Sequence, residues 1–315
     1  MEKVDLAIIS SEYGLLIYLF ANKNWKRSNY VFCGQIDEQV IQNLENFKTI
    51  RILSGKKWKN AGDMIEKYKG KRLFQQYWRM RKECMRLSIQ IKILKFCWGH
   101  SRKCLWGQTY NFATKIAMKY YFNLIEDGLL NYTGQEVIDG QQVPFGTNGR
   151  VKNIYLSGRL PVPRLIENKS VVINMMNRWN NMSSTEKSEI TMLFNFNYKK
   201  LKSIILSGRN KILLTQDLYR YNYCTQKEQI ELYKQILSKY NENEIMIKPH
   251  PKDNIEYEKA FPNCYVLREK FPFELCYFTG LPIEKVIAIN STSIYGFLPR
   301  NCIDENPDLL KCIMH

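Results

Sequence analysis

Short apolar runs alternate with longer amphipathic segments along the chain. Residues 4–9 are mostly apolar, a polar stretch follows at 10–14, and residues 15–21 are apolar again, which predicts a strand, a loop and a helix. Further strands are predicted at 29–33, 48–53, 211–215, 244–248, 264–267 and 285–290. Strands that recur between helices are typical of an α/β fold with parallel sheets.

The chain divides where this alternation is interrupted. Glycine and proline crowd residues 130–170, which are therefore predicted to be rich in loops. The strand–helix pattern restarts after a break near 200–210, and Thr225-Gln226-Lys227-Glu228 is a capping box that opens a helix in the second half. We therefore predict two α/β domains, 1–205 and 206–315.

Composition excludes several classes of protein. The chain has 315 residues, of which 45% are hydrophobic and 13% aromatic, and this is too rich in apolar side chains for a disordered protein. It has no run of about 18 apolar residues and no signal-peptide pattern at its start, so we expect a cytoplasmic protein. The nine cysteines form no C-x-x-C pair, and three histidines are too few for a histidine-rich metal site.

Charge adds a second, local feature. The formal net charge is +17, and residues 51–120 hold 18 Lys and Arg against 3 Asp and Glu. Apolar residues recur at helical spacing within 78–97, which predicts an amphipathic helix with a basic face. Nucleic acid, an anionic membrane or an anionic substrate would each fit such a face, and so would solvent alone. No RNP sequence or zinc finger supports nucleic acid.

Two polar motifs directly follow predicted strands of the second half, where ligands of open α/β sheets bind. The first is Lys248-Pro249-His250-Pro251, whose imidazole and ammonium groups suit a phosphate and whose prolines fix the backbone. The second is Ser291-Thr292-Ser293, whose hydroxyl and backbone N–H groups suit an anion at the start of a helix. A surface histidine and an ordinary helix cap are the alternatives.

Carboxylates supply candidates for a general base. Glu126 and Asp127 precede Gly128, which predicts a turn that presents a carboxylate, and Asp217 follows a predicted strand. Glu274 could bind a ribose hydroxyl. A solvated turn, a turn cap and a first-turn helix carboxylate are the respective structural alternatives.

Several common motifs do not occur in the sequence. It has no D-x-D, no G-x-x-x-x-G-K-[ST], no G-x-G-x-x-G and no G-x-S-x-G. A metal-held nucleotide sugar, the common ATP and dinucleotide loops and a serine-hydrolase elbow are therefore not indicated.

In their order along the chain, these motifs resemble those of glycosyltransferase family 52, the bacterial lipooligosaccharide and capsule sialyltransferases, and of the related polysialyltransferases. Glu126-Asp127-Gly128 is similar to the acidic D/E-D/E-G motif, His250-Pro251 to the H-P motif and Ser291-Thr292-Ser293 to the Ser/Thr motif. Ser10 and Ser11 after the first strand are a further similarity, as are the stretches 105–108 and 213–216.

The resemblance implies a fold and a reaction. The fold would be GT-B, in which two Rossmann-like domains face a central cleft, the first for the acceptor and the second for the nucleotide sugar. The reaction would be an inverting transfer, without metal or cofactor, from CMP-sialic acid to a galactose-like sugar of a lipooligosaccharide or capsule intermediate. The alternatives are a family 52 transferase for another nucleotide sugar, such as a glucosyl- or galactosyltransferase, and a non-catalytic basic RNA- or membrane-binding protein.

The resemblance also implies roles on the donor side. His250 would contact or protonate the CMP phosphate, and residues 291–293 would bind that phosphate or the donor carboxylate. Glu274 would lie near the cytidine ribose. Lys248 and Pro251 would complete the donor site.

On the acceptor side, the resemblance leaves the general base open between Glu126, Asp127 and Asp217. Family members often have proline at position 217 and an acidic residue a little later, whereas this chain has Asn222 there. That departure favours the carboxylates of the first domain. The residues that would form acceptor-side turns are Ser10, Ser11 and Gly128.

The implied partners are a nucleotide-sugar donor and a glycan or glycolipid acceptor, with no nucleic acid, and a homodimer is left open. The basic segment would hold the protein peripherally at the inner face of the bacterial cytoplasmic membrane, because anionic lipids attract clustered Lys and Arg.

Overall fold

The structure is a computed structural model that describes residues 5–32, 36–47, 51–54, 105–108, 121–138, 141–251, 253–289, 291–294 and 300–306. The chain forms two compact units, Met1–Ser184 (the N-terminal unit) and Thr185–His315 (the C-terminal unit). The amphipathic basic helix predicted at 78–97 lies outside the described residues. Among the residues that are described, no helix is long and apolar enough to cross a membrane.

The N-terminal unit is built on a seven-stranded sheet, which we call the first sheet. The strands of this unit are β1 (Leu6–Ile9), β2 (Asn29–Phe32), β3 (Arg51–Ser54), β4 (Leu105–Gln108), β5 (Phe122–Ile125), β6 (Gln135–Ile138), β7 (Gln141–Pro144), β8 (Val151–Leu156) and β9 (Ser170–Val172). The first sheet has the order β3-β2-β1-β4-β5-β8-β9, and its neighbouring strands are parallel throughout. The strands β6 and β7 form a separate antiparallel hairpin.

Helix α1 (Glu12–Ala21) follows β1 because Ser11 caps it. The Oγ of Ser11 accepts a hydrogen bond from the backbone N–H of Gly14 at 3.1 Å, which satisfies a donor of the first turn. The apolar segment Leu15–Phe20 is buried throughout, and the helix contacts β1, β5 and β8. The predicted strand, loop and helix are therefore confirmed. The other described helices of this unit are α2 (Glu38–Glu45), α3 (Leu130–Thr133), α4 (Arg164–Glu167) and α5 (Met175–Asn180).

The interval predicted to be rich in loops is more regular than expected. It holds the β6–β7 hairpin and strand β8, in which Val151, Ile154 and Leu156 are buried. The prediction was wrong for these strands because the glycines of this interval lie between the strands, and Pro144 is the last residue of β7. Gly146 and Gly158, for example, adopt φ angles of +103° and +74° on either side of β8, a conformation that glycine tolerates best.

The C-terminal unit is built on a five-stranded parallel sheet, which we call the second sheet. Its strands are β10 (Lys211–Leu214), β11 (Ile245–Lys248), β12 (Tyr265–Val266), β13 (Lys285–Ala288) and β14 (Ile303–Glu305). They lie in the order β12-β11-β10-β13-β14. The described helices from residue 184 onward are α6 (Ser184–Leu193), α7 (Tyr198–Leu206), α8 (Gln226–Leu237), α9 (Tyr257–Ala260) and α10 (Glu274–Phe278).

Helix α8 begins at the predicted capping box and packs against the second sheet. Thr225 Oγ1 accepts from the backbone N–H of Glu228 at 3.2 Å, and the backbone N–H of Thr225 donates to the Glu228 carboxylate at 2.7 Å. The predicted capping box is therefore confirmed. Tyr233 and Ile236 of this helix are buried with Leu213 of β10 in one apolar cluster. Each such burial contributes about 1.5–3 kcal/mol, so the helix is held against the sheet.

In both sheets, the strands that follow the first strand are added on one side of it, and later strands are then added on its other side. In the first sheet the chain passes from β1 through β2 to β3 and then returns to the other side of β1 with β4. The second sheet repeats this course with β10, β11 and β12, followed by β13 beside β10. Ligands of open α/β sheets bind at the carboxyl ends of the strands that flank such a reversal. The α/β prediction is confirmed, and each sheet has one such position.

Candidate active site

Polar residues follow four neighbouring strands at the carboxyl edge of the first sheet. Because β1, β4, β5 and β8 are adjacent and parallel, this edge joins residues as far as 144 positions apart in the chain. The residues concerned are Ser10 and Ser11 after β1, Gln108 at the end of β4, Glu126 and Asp127 after β5, and Ser157 after β8.

Gln108 connects the loop after β1 to the loop after β5. Its side chain is fully buried, and its Oε1 accepts from the backbone N–H groups of Ser10 and Ser11 at 3.1 and 3.2 Å. Its Nε2 donates to Ser11 Oγ at 2.6 Å and to Asp127 Oδ1 at 2.9 Å. The sequence did not predict this role, and its signal was the similarity of the stretch 105–108 to the family.

Asp127 is half-buried in the turn that was predicted after β5. Its backbone N–H donates to Asn131 Oδ1 at 2.7 Å, and Gly128 follows with a φ of +58°. The left-handed conformation explains the glycine, since a side chain would be strained there. The turn and the bond from Gln108 together fix a carboxylate that keeps some exposure, which suits a group that accepts a proton.

Glu126 lies in different surroundings, which we call the Glu126 cluster: Glu126 with Tyr13, Tyr132, Ser157 and Arg159. Its Oε1 accepts from the Tyr13 hydroxyl at 2.6 Å and the Ser157 hydroxyl at 2.9 Å, and it lies 2.9 Å from Arg159 Nε. Its Oε2 accepts from the Tyr132 hydroxyl at 3.0 Å and from the backbone N–H of Ser157. Glu126 is 0% exposed, so protein donors occupy this carboxylate.

The Glu126 cluster is a buried ion pair with aromatic walls. The Arg159 side chain is 1% exposed, and its guanidinium lies 4.5 Å from the centroid of the Tyr13 ring, a cation–π contact. Burial, with the Glu126 carboxylate as the second cause, holds the pKa of Tyr132 well above its ordinary value. Tyr132 therefore stays a hydrogen-bond donor at neutral pH. These contacts give Glu126 a structural role, in contrast to its neighbour Asp127.

Replacing Glu126 should test that role. We expect Glu126→Gln to lower the free energy of unfolding by about 3–5 kcal/mol, because it removes the negative charge that Glu126 places 2.9 Å from the buried Arg159 guanidinium. Chemical denaturation measures this loss. Glu167→Gln is the matched control: Glu167 is exposed on α4, and its replacement should change stability by less than about 0.5 kcal/mol. An equal, small effect of both substitutions would contradict the structural role of Glu126.

A second set of polar residues lies at the carboxyl edge of the second sheet. Strand β10 has β11 on one side and β13 on the other, so the residues that follow these three strands lie at the switch point of the sheet. They are Thr215 and Asp217 after β10, His250 and Pro251 after β11, and Ser291 after β13.

The backbone on both sides of His250 is held in place. Its N–H donates to Thr215 Oγ1 at 2.9 Å, and its carbonyl accepts from the backbone N–H of Asp253 at 2.8 Å. Thr215 Oγ1 in turn donates to Asp253 Oδ2 at 3.1 Å, which closes the loop. Pro249 and Pro251 restrict φ on either side. The imidazole is half-buried, and it is attached to a backbone that these bonds hold in place. Such a fixed position suits a group that binds phosphate.

Asp253 is the centre of this network and was not predicted. Besides Thr215, its carboxylate accepts from Gln229 Nε2 at 3.2 Å, from the Tyr257 hydroxyl at 2.5 Å and from the backbone N–H of Ile255 at 3.0 Å. Gln229 and Tyr257 are fully buried. Gln229 Nε2 also donates to the carbonyl of Gln216 at 2.8 Å, so the loops after β10 and β11 share one set of bonds.

Lys248 and Glu274 are buried charges near one thiol. Lys248 is 8% exposed, with its Nζ 4.3 Å from the centroid of the Phe271 ring, and Glu274, the first residue of α10, is 2% exposed. Burial raises the pKa of the Cys276 thiol to about 12, and the Lys248 charge opposes this shift while the Glu274 charge adds to it. Both charges therefore act on the same buried atom.

Asp217 lies in the turn after β10 and is 3% exposed. Its Oδ2 is 3.6 Å from the Nε of Arg220, the middle residue of a 3₁₀ turn over Tyr219–Tyr221. Asn222 ends this turn with a φ of +59°. A buried, ion-paired carboxylate inside a turn is less suited to accept a proton from a substrate than the half-buried Asp127.

The Ser/Thr motif forms a tight turn at the same edge. Ser291 is 6% exposed, and its Oγ accepts from the backbone N–H of Ser293 at 3.4 Å. A 3₁₀ helix covers Thr292–Ile294. At the same edge of the sheet, Pro251 is exposed after β11. Across the described parts of both units, no group of three or more His, Cys, Asp or Glu is placed to hold a metal ion.

Comparison with known sequences gives two matches. The model of a family described as "Glycosyltransferase family 52" matches residues 64–302 of this chain. A protein of Haemophilus influenzae, described as uncharacterized, is 35% identical over 192 residues. That alignment spans 59% of this chain and 62% of the Haemophilus protein, which is less than two thirds of its length.

Comparison with solved structures gives similar folds at low sequence identity. An α/β-galactoside α-2,3-sialyltransferase of Photobacterium phosphoreum is 12% identical, with a TM-score of 0.60 over 100% of this chain and 95% of that one. A 2,6-sialyltransferase of Photobacterium sp. JT-ISH-224, in a ternary complex with CMP and lactose, is 13% identical, with a TM-score of 0.59 over 96% and 71%. The GT-B domain of a Photobacterium damselae sialyltransferase is 11% identical, with a TM-score of 0.54 over 96% and 89%. The predicted GT-B class is confirmed.

Proposed function

Since this chain belongs to glycosyltransferase family 52, we propose that it is an inverting, metal-independent sialyltransferase. It moves sialic acid from CMP-sialic acid to a galactose-like terminal sugar of a lipooligosaccharide or capsule intermediate. The observation that carries the proposal is the position of the candidate residues: a half-buried carboxylate, Asp127, at the carboxyl edge of one parallel sheet, and His250 with Ser291 at that of the other. Three similar structures are sialyltransferases, one with CMP and lactose.

The donor binds to the C-terminal unit in this proposal. Departure of CMP leaves negative charge on a phosphate oxygen, which a proton or hydrogen bonds must stabilise. His250 contacts or protonates that oxygen, supported by its fixed backbone, and the hydroxyls and N–H groups of 291–293 bind the phosphate or the sialic acid carboxylate. Lys248, the last residue of β11, adds positive electrostatic potential to the donor site. Glu274 accepts hydrogen bonds from the ribose hydroxyls. No step requires a metal.

The acceptor binds to the N-terminal unit, and Asp127 is the general base. Inverting transfer needs one carboxylate to take the proton of the acceptor hydroxyl as the new bond forms. Glu126 is occupied by its five donors, and Asp217 is buried beside Arg220. Asp127 is the half-buried member of the three. The loop after β1, which holds Ser10 and Ser11, is connected to Asp127 through Gln108. This loop shapes the acceptor side.

Nucleotide-dependent stabilisation tests the donor class. CMP at about 100 times its Kd should stabilise the protein by about 2.7 kcal/mol, which raises the thermal midpoint, because only the folded protein binds it. UDP and GDP at the same concentration should give much smaller shifts. A shift with UDP or GDP in place of CMP would favour transfer of another sugar. No shift with any nucleotide, together with salt-dependent RNA binding, would favour the non-catalytic alternative.

We extend the proposal to the place where the enzyme works. A lipid-linked acceptor is reached at the inner face of the cytoplasmic membrane, and the basic surplus of residues 51–120 supports attraction to anionic lipids. Sedimentation with anionic and with zwitterionic vesicles measures this attraction. Equal binding to both kinds of vesicle would contradict it.

A further inference from the structure

We infer that Gln108 is a positioning residue that fixes the Asp127 carboxylate for proton transfer, and that Gly14 is glycine because Gln108 lies against it. The inference rests on the proposed role of Asp127 as base. It gives Gln108 and Gly14, at the switch point of the first sheet, roles that the sequence did not predict.

The hydrogen bonds of Gln108 determine which way its amide faces. Oxygen and nitrogen of an amide look alike in shape, so the assignment depends on the partners. The backbone N–H groups of Ser10 and Ser11 can only donate, and both point at one amide atom, which must therefore be the oxygen. The nitrogen then necessarily faces Asp127 Oδ1 and Ser11 Oγ. The two backbone N–H groups in the loop after β1 therefore fix the Gln108 amide so that its nitrogen donates to Asp127.

This constraint has a chemical consequence for Asp127. One carboxylate oxygen is held at 2.9 Å by a donor that is itself fixed by three other bonds. The plane of the carboxylate is therefore restricted. A general base needs such a fixed direction toward the proton that it accepts.

Gly14 provides an independent observation. A Cβ at this position of α1 would lie 2.0 Å from Gln108 Oε1, 2.1 Å from its Cδ and 2.5 Å from its Nε2. Glycine weakens a helix relative to alanine, so its presence in the first turn of α1 needs a reason. The close approach of the Gln108 amide supplies one. A methyl group at position 14 would expel the amide from its four bonds without changing Gln108 itself.

Gln108→Glu is the direct test, measured as the pH dependence of kcat/KM for the acceptor. A glutamate at this position has nearly the same shape and keeps acceptors for the Ser10 and Ser11 N–H groups, but it replaces the donor to Asp127 by a second carboxylate. The two carboxylates then titrate as a pair. The acidic limb of the profile should move to higher pH by about one unit or more, with activity recovering at alkaline pH.

The variant leaves in place the other charged or titratable groups that the structure describes at this edge. Tyr13, Tyr132 and Arg159 contact Glu126 in the Glu126 cluster, and the Glu12 carboxylate at the start of α1 accepts from the backbone N–H of Asp37 at 2.8 Å. Gln39→Glu serves as the control for an added carboxylate, because Gln39 lies on α2, is exposed, and donates from its Nε2 to Asn43 Oδ1 at 3.1 Å. It should leave the acidic limb where it is.

Gly14→Ala is the second test, with Gly149→Ala as its control. Gly14→Ala should lower kcat by about tenfold or more, since displacing the amide removes a bond to a charged group. Gly149 has open space around it and an ordinary φ, so its replacement by alanine should leave kcat unchanged. The two variants change the chain by the same methyl group.

The outcomes separate this inference from the proposed function. No transfer by the wild-type protein would refute the function itself. If the wild type transfers sialic acid, an unmoved acidic limb in Gln108→Glu would overturn the inference, even with a lower thermal midpoint. Equal kcat values for Gly14→Ala and Gly149→Ala would overturn it as well. A moved limb together with a selective loss in Gly14→Ala supports it.

Discussion

Asp127→Asn should lower kcat for sialyl transfer by about 10²- to 10⁴-fold, the contribution typical of a general base. Asparagine keeps the size of the side chain and an oxygen that accepts from Gln108, but it cannot take a proton. CMP binding should be retained, because the residues that we propose for the donor site lie in the C-terminal unit. Steady-state transfer to a lactoside, with calorimetric titration of CMP, measures both quantities.

Asp217→Asn is the matched control for this experiment. Like Asp127→Asn, it converts an aspartate of a post-strand turn to its amide, and it removes the ion pair with Arg220 at 3.6 Å. We expect a loss of stability with kcat changed by less than about tenfold, since the carboxylate lies inside its turn. If Asp217→Asn abolishes transfer and Asp127→Asn does not, the base is Asp217 and the proposed role of the first sheet is wrong.

His250→Ala should lower kcat by about 10²- to 10⁴-fold with little change in thermal midpoint. The backbone bonds to Thr215 and Asp253 do not involve the imidazole and would persist. The leaving phosphate would lose its donor, so the effect should appear in kcat more than in the KM for the acceptor. Near-normal transfer by this variant would refute the assignment of the donor site.

His250→Gln distinguishes the two roles open to the imidazole. Glutamine can still donate a hydrogen bond to a phosphate oxygen, but it cannot release a proton. A variant with activity well above that of His250→Ala would indicate that contact is the main role. Equal activities of the two variants would indicate proton transfer to the leaving group.

The architecture was predictable because its signals are local. Leu6–Ile9, Lys211–Leu214 and Lys285–Ala288 are short apolar runs, and each forms a buried parallel strand. Thr225 and Glu228 lie three residues apart, so they cap a helix independently of the tertiary structure. Strand β8 was missed because glycines and prolines surround it, and only tertiary packing shows that they end the strand on either side.

The candidate site was predictable only in its motif residues. Asp127 and His250 each directly follow an apolar strand, so the α/β pattern alone places them at a carboxyl edge. Gln108 and Asp253 follow no such rule. Their importance comes from partners that are 97 and 38 positions away, such as Ser11 for Gln108 and Thr215 for Asp253. Such pairings depend on which strands become neighbours.

The Glu126 cluster also restricts the order in which the N-terminal unit can fold. Tyr13 and Ser157 both bind the same carboxylate although they are 144 positions apart in the chain. Closing so long a loop costs chain entropy before any contact repays it. The complete cluster, with Tyr13 on Glu126, can therefore form only once β1, β4, β5 and β8 lie in one sheet. The edge that carries Asp127 is complete only at that stage of folding.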